Sequence, residues 1–214
     1  MEVNLKKPSL LILISSNLIV GILAIIFQWS LAYIVFIYWI ENLIIGFMNI
    51  FKMLFIKRVD NKGKENKYAR FGLIPFFIIH YYGFCAAHGL FIFFLIALPE
   101  IRETVPESHM LSYLKSILNS WEFIIAVGSI FISHLASFFL NYIRKKEFQK
   151  ITLSEGMRAP YKRTIFVHVF IIAVGYFVVS QGYQAAWLML LFVVMKTGID
   201  VIQHQSEHKK LGSF

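Results

Sequence analysis

The sequence contains few charged residues and only one cysteine. Asp, Glu, Lys and Arg make up 15% of the 214 residues, whereas about 25% is usual in a soluble domain. Because Cys85 has no second cysteine with which to pair, an internal disulfide and a cysteine-based metal site are both excluded. The low charge content argues against a soluble globular domain.

The sequence has instead six long apolar runs. Apolar residues account for 58% of the chain, and Phe alone occurs 22 times. Each run is near the length of about 20 residues that a helix needs to cross a bilayer. We predict an all-α polytopic membrane protein, a six-helix bundle forming a single integral domain over 1–214. The predicted spans are about 8–27, 31–56, 71–98, 121–143, 164–180 and 185–208.

The distribution of positive charge predicts the topology. The net charge of +9 does not indicate nucleic-acid binding, because the basic residues lie in short loops between apolar runs. With six spans, nearly all of them fall on one side, and only Arg102 and Lys115 fall in loops on the other. This asymmetry predicts cytoplasmic termini and a multi-pass protein of the cell membrane. The first run lacks a small-x-small cleavage site, so we expect a retained span and not a signal peptide.

The last predicted span carries a polar stripe. Lys196, Asp200, His204 and His208 are spaced four apart, which places them along one face of a helix. Charge inside a membrane is costly and usually functional. His208 is followed directly by Lys209, so we expect it at the interface in contact with water.

Polar side chains from four predicted spans lie at compatible depths. Counted inward from the basic loops, His80, His134 and Asp200 lie about 15 Å from the cytoplasmic edge, and His204 lies one turn nearer to it. The side chains concerned are Glu41, His80, His134, Lys196, Asp200 and His204. The common depth predicts a shared functional site.

The leading hypothesis is an intramembrane zinc site. Imidazole and carboxylate ligands suit zinc, and the proposed ligands are His80, His134, His204 and Asp200. Asp200 either completes the ligand set or orients a ligating histidine. Glu41 or Asp200 would act as general base on a metal-bound water, and Lys196 would stabilise negative charge. The predicted activity is hydrolysis of a lipid-like substrate in the bilayer.

Three other functions stay open on the sequence. Histidines on neighbouring spans can ligate haem, and His80 with His134 is the natural pair. Alternatively, Glu41, Lys196, Asp200 and the histidines form the relay of a proton-coupled transporter. The third is a non-catalytic membrane module, in which Lys196 and Asp200 neutralise each other and each histidine bonds to a neighbouring helix. The roles of His88 and His168 are undecided.

Three stretches carry a resemblance that covers most of the chain. They are Tyr38 to Asn42, His80 to His88 and Lys196 to Asp200. With these stretches the sequence resembles a family of uncharacterised prokaryotic integral membrane proteins, a domain of unknown function. The resemblance implies a multi-span membrane fold and no particular activity.

A shorter motif in the last span carries a second resemblance. His204 and His208, with His80 in an earlier span, are similar to the ligand set of the alkaline ceramidase and adiponectin-receptor superfamily. Those proteins are seven-span zinc hydrolases that cut amide bonds in lipids. The resemblance implies that His204 and His208 are paired ligands and that His80 is the third. The chain departs from that pattern in having six predicted spans and Phe76 at the position of the family's serine.

Overall fold

The computed structural model describes most of the chain, and the described part is helical without a β-strand. It covers residues 8–58, 68–94, 106, 109–161, 163–165, 169, 172 and 186–210. The helices are α1 Pro8–Ile26, α2 Leu31–Phe55, α3 Ala69–Ile92, α4 Met110–Asn119, α5 Trp121–Ile143, α6 153–161 and α7 Ala186–Lys210. The all-α class is as predicted.

Serine residues define the starts of two long helices. Ser30 Oγ accepts a hydrogen bond from Tyr33 N at 3.2 Å at the start of α2, and Ser120 Oγ accepts one from Phe123 N at 3.3 Å at the start of α5. Each hydroxyl satisfies a backbone N–H that has no partner within its helix.

Two of the long helices contain π-helical segments. In α3, Pro75 has no backbone N–H to donate, which interrupts the regular bonding pattern. The π segment Ile78–Tyr82 follows directly, and a second one, Phe138–Ile143, ends α5. Such segments change the rotation of the helix about its axis.

Four described helices are long and apolar enough to cross a membrane. They are Pro8–Ile26, Tyr33–Phe55, Ala69–Ile92 and Trp121–Ile143. Many of their large apolar side chains point outward, such as Phe71 and Ile79, which are 77% and 75% exposed. The helix α7 has 25 residues and occupies the region of the sixth predicted span, but it is not among these four helices. Most of the fifth predicted span, 164–180, lies outside the described residues.

Contacts between the long helices show their relative directions. Near the start of α1, Ser9 contacts Asn141 at the end of α5 and His204 at the end of α7. Near the end of α1, the ring of Phe27 contacts that of Trp121 at the start of α5. Both α5 and α7 therefore run antiparallel to α1 and parallel to each other.

The interior has two apolar clusters with a polar layer between them. One cluster includes Ile34, Tyr38 and Ile130, and the other includes Met48 and Phe138. Glu41 on α2 and His134 on α5 each lie between the two clusters along their helices. Glu41 and His134 therefore lie in a polar layer in the middle of the bundle, between the two apolar clusters.

Candidate functional site

Four charged side chains meet in the polar layer. Lys196 Nζ lies 2.5 Å from Glu41 Oε2 and 2.5 Å from Asp200 Oδ2. Arg163 Nη2 lies 2.8 Å from Asp200 Oδ1 and is also paired with Glu41 Oε1. Each cation thus bridges both carboxylates. We call these four residues the ionic network, and its formal charge is zero.

The ionic network is almost completely enclosed. Glu41, Lys196 and Asp200 are 4%, 3% and 1% exposed. The ammonium group of Lys196 also lies 4.4 Å from the centre of the Tyr38 ring, a distance at which a cation is attracted to the ring face. Burial strengthens every charge interaction, so loss of any one charge leaves its partners poorly compensated.

Neutral side chains on two helices extend the network. Asn17 on α1 donates from Nδ2 to Asp200 Oδ2 at 3.1 Å and accepts at Oδ1 from Lys196 Nζ at 2.9 Å. His134 Nε2 on α5 lies 3.2 Å from Glu41 Oε1, within hydrogen-bond distance. The network therefore joins α1, α2, α5, α7 and the segment containing Arg163.

A second polar chain lies one turn nearer the end of α7. Asn141 Nδ2 donates to Ser9 Oγ at 2.8 Å, and Ser9 Oγ lies 3.2 Å from His204 Nε2. His204 thus contacts α1 through a serine, one turn away from Asp200 of the ionic network.

A cavity of about 90 Å³ adjoins the ionic network. That is about six times the ~15 Å³ that one water molecule needs. The cavity extends to the last turn of α2, where Lys52 lies. Its polar lining residues are Asn49, Lys52, Ser133, His134, Ser137, Arg163, Asp200, Gln203 and His204.

Two neutral lining residues carry buried polar atoms that have no hydrogen-bond partner among the described residues. Asn49 Nδ2 and Ser133 Oγ are both unpaired, and their residues are 4% and 2% exposed. Buried polar atoms are nearly always paired with protein or with a bound molecule. These two atoms therefore mark the cavity as a place where a further polar group is expected.

The structure brings together four of the six predicted site residues. Glu41, His134, Lys196 and Asp200 are in direct contact, and His204 lies beside them. His80 is exposed on α3 instead, where its Nδ1 lies 2.8 Å from the hydroxyl of Tyr161. Partial burial raises the pKa of Tyr161 above its usual value, and the nearby Cys85 raises it further. The phenol therefore stays protonated at neutral pH.

The predicted zinc ligands do not form a ligand set. Within the described residues, no group of three or more His, Cys, Asp or Glu side chains could hold a metal ion. Asp200 is paired with two cations, and His80 and His204 bond to Tyr161 and Ser9. The donors therefore do not fit the predicted zinc site, and zinc, haem and hydrolysis stay predictions without geometric support.

Two members of the site were not predicted, and two predicted histidines are not described. Arg163 was counted with a basic loop, although its long side chain reaches inward to the carboxylates. Asn17 gave no signal because it is uncharged and lies among apolar residues. His168 and the side chain of His208 lie outside the described part of the structure.

The fold and the site define an all-helical membrane-type protein with a buried ionic network. A family model described as a family of unknown function (DUF6498) matches residues 2–213. The chain therefore belongs to that family. No curated protein and no solved structure matches it.

Proposed function

We propose that this protein is a proton-coupled membrane carrier for a small solute. The observation that carries the proposal is the ionic network beside a polar cavity in the middle of a membrane-type bundle. Structural helix packing does not require a network of four charges, three of them buried, because well-packed apolar residues would be as stable or more stable. Ionisable groups at such a depth are typical of proton relays and substrate pathways.

The geometry provides a path for a proton. His134 lines the cavity and lies 3.2 Å from Glu41. Imidazole can accept a proton on one nitrogen and release one from the other. A proton entering the cavity would therefore pass through His134 to the carboxylate of Glu41.

Protonation of Glu41 would change the balance of the network. Lys196 and Arg163 would lose one of their two carboxylates and keep only Asp200. The interior would then carry one uncompensated positive charge, which is costly in a low-dielectric environment. A network with two charge arrangements is the kind of element that can bias a carrier between two conformations.

The helix directions support the six-span topology for this carrier. The parallel directions of α5 and α7 support the predicted span at about 164–180 between them, since an odd number of crossings would join two parallel helices. The basic loops then lie on one side, which supports cytoplasmic termini in the cell membrane. Lys52, at one end of the cavity, belongs to that cytoplasmic side.

Reconstitution into liposomes tests the proposal. Proteoliposomes that contain a pH-sensitive dye are exposed to solutes of different classes: monocarboxylates, amino acids, sugars, primary amines and inorganic phosphate. We expect at least one class to change the internal pH faster than in protein-free liposomes. Glu41→Gln should abolish that change, whereas Glu122→Gln, at the start of α5 and outside the network, should retain it. If no class moves protons above the protein-free rate, the proposal is wrong.

A further inference from the structure

The polar lining of the cavity is asymmetric in charge. Its charged lining residues are two cations, Lys52 and Arg163, and one carboxylate, Asp200. Arg163 and Asp200 belong to the ionic network, which is neutral because both cations are paired with both carboxylates. Lys52 adds positive charge at one end of the cavity, which favours an anion over a cation there.

The unpaired atoms add donors to this positive field. Asn49 Nδ2 can only donate a hydrogen bond, and Ser133 Oγ can donate one. Both residues are buried and line the cavity beside Arg163 and Lys52. Amide and hydroxyl donors next to fixed positive charge are the groups that hold a small oxyanion.

The cavity wall also contains apolar side chains. They are Leu13, Ile45, Met48, Ala159 and Pro160. A ligand with a charged head and a short carbon tail would use both parts of the lining, as is usual in small-molecule sites. The cavity of about 90 Å³ limits that tail to a few atoms.

We propose, on the basis of the proton-coupled carrier, that the cavity binds a small monocarboxylate and that one proton travels with each anion. Lys52 is half-buried at one end of the cavity, on the proposed cytoplasmic side, where water compensates its charge, so the sum inside the membrane is that of the ionic network. Before the ligand binds, the network is neutral, with two carboxylates and two cations. Adding a proton to Glu41 gives one positive charge, and binding one monocarboxylate returns the sum to zero. States that hold only the proton or only the anion leave an uncompensated charge in the membrane, which is costly.

The groups that face Glu41 decide whether this charge balance holds. They are Lys196 and Arg163, which are cationic, and His134, which contacts the same carboxylate. Asp200 is the second carboxylate that both cations share. Protonation of Glu41 is thus the step that makes positive charge available to the anion.

Binding measurements on the purified protein test the ligand class. We expect lactate to bind, and its neutral isostere lactamide to bind at least about tenfold more weakly, because hydrogen bonds and charge contacts to an anion are the strong ones. Ser133→Ala and Asn49→Leu should each raise the dissociation constant of lactate about tenfold. Equal affinity for lactate and lactamide, or no saturable lactate binding, would overturn the proposal.

The same variants separate ligand binding from a structural role. Because neither polar atom has a hydrogen-bond partner among the described residues, removing it should leave thermal stability unchanged or raise it while weakening lactate binding. Ser129→Ala is the matched control, since Ser129 lies one turn earlier on α5 and donates to the carbonyl of Ala126 in its own helix. It should leave lactate affinity unchanged. A loss of stability in Ser133→Ala and Asn49→Leu with unchanged lactate affinity would contradict the assignment.

Transport stoichiometry tests the coupling. Radiolabelled lactate uptake and proton uptake should occur in a ratio of one, after subtraction of diffusion through protein-free liposomes, and should not respond to an imposed membrane potential. If another solute class moves protons and lactate does not, the carrier function stands and the ligand assignment is wrong. If lactate binds at Ser133 and Asn49 but moves no protons, the ligand site stands and the coupled carrier is wrong.

Discussion

Removal of the Lys196 charge is the most informative single perturbation of the ionic network. Its ammonium lies 2.5 Å from one oxygen of each carboxylate and is 3% exposed. At an effective dielectric constant of about 20, each contact is worth about 7 kcal/mol before desolvation is counted. Desolvation of the ions offsets much of this attraction, so the net cost of removing one partner is about 3–5 kcal/mol. We therefore expect Lys196→Met to lower the free energy of unfolding by that amount.

A second substitution tests whether charge balance causes the loss. Glu41→Gln alone leaves a surplus positive charge and should also cost about 3–5 kcal/mol. The double variant Lys196→Met with Glu41→Gln retains the Arg163–Asp200 pair at 2.8 Å and has no surplus charge. We expect its loss to be smaller than the sum of the two single losses by about 2–3 kcal/mol.

Reversible unfolding in mixed micelles with increasing SDS gives the required free energies. Lys115→Met, at an exposed position on α4, is the control and should change stability by less than about 0.5 kcal/mol. Losses in the two single variants that add within about 0.5 kcal/mol in the double variant would refute an energetically coupled network.

Four further predictions concern packing, the network and metal content. Gly89→Ala should cost about 1–3 kcal/mol in the same unfolding assay, because the added Cβ would lie 2.7 Å from Trp39, whose Nε1 is held by the carbonyl of Cys85. Asn17→Leu should cost about 1–3 kcal/mol, because it removes polar contacts to Lys196 and Asp200. Ser120→Ala should cost about 1 kcal/mol through loss of the cap on α5. Elemental analysis of the purified protein should find zinc below one ion per chain, with no difference in His80→Ala.

Each of these predictions has a result that contradicts it. For Gly89, the matched variant is Gly128→Ala, where nothing lies within 4 Å of the added Cβ, and equal losses at both positions would show that packing is not the cause. An unchanged stability in Asn17→Leu would remove α1 from the network. A stable Ser120→Ala protein would show that the cap is replaceable. One zinc ion per chain that disappears in His80→Ala would restore the metal hypothesis.

The sequence predicted the membrane helices and the charged centre of the site because both depend on position along the chain. Helix length and hydropathy identify a span, and a charge within a span is conspicuous. Glu41, Lys196 and Asp200 were therefore found without the structure. The depth count also placed His134 at the level of Asp200.

The depth of a residue in the membrane gives no information about which face of its helix carries it. His80 was therefore predicted in the site although it lies on another face of α3. A helix can present a residue at the correct level on the wrong face. The π segment Ile78–Tyr82, which contains His80, changes the rotation of α3 further, and its position is not evident from hydrophobic spacing.

Arg163 shows why the position of a residue along the chain does not always predict the depth of its side chain. Its backbone belongs to a basic segment that marks topology, but its side chain is long enough to reach the buried carboxylates. Asn17 was missed because an uncharged side chain in an apolar run is compatible with simple helix contact.

Comparison of exchange and net transport in Glu41→Gln proteoliposomes tests the proposed proton coupling most directly. The substitution removes the proton-accepting carboxylate of Glu41 and leaves the network with one positive charge, which a bound monocarboxylate balances. We predict that lactate exchange across the membrane persists in this variant, which also shows that it is folded, whereas lactate uptake driven by a proton gradient is lost. Proton-driven uptake at the wild-type rate would contradict the proposed role of Glu41 and of the ionic network.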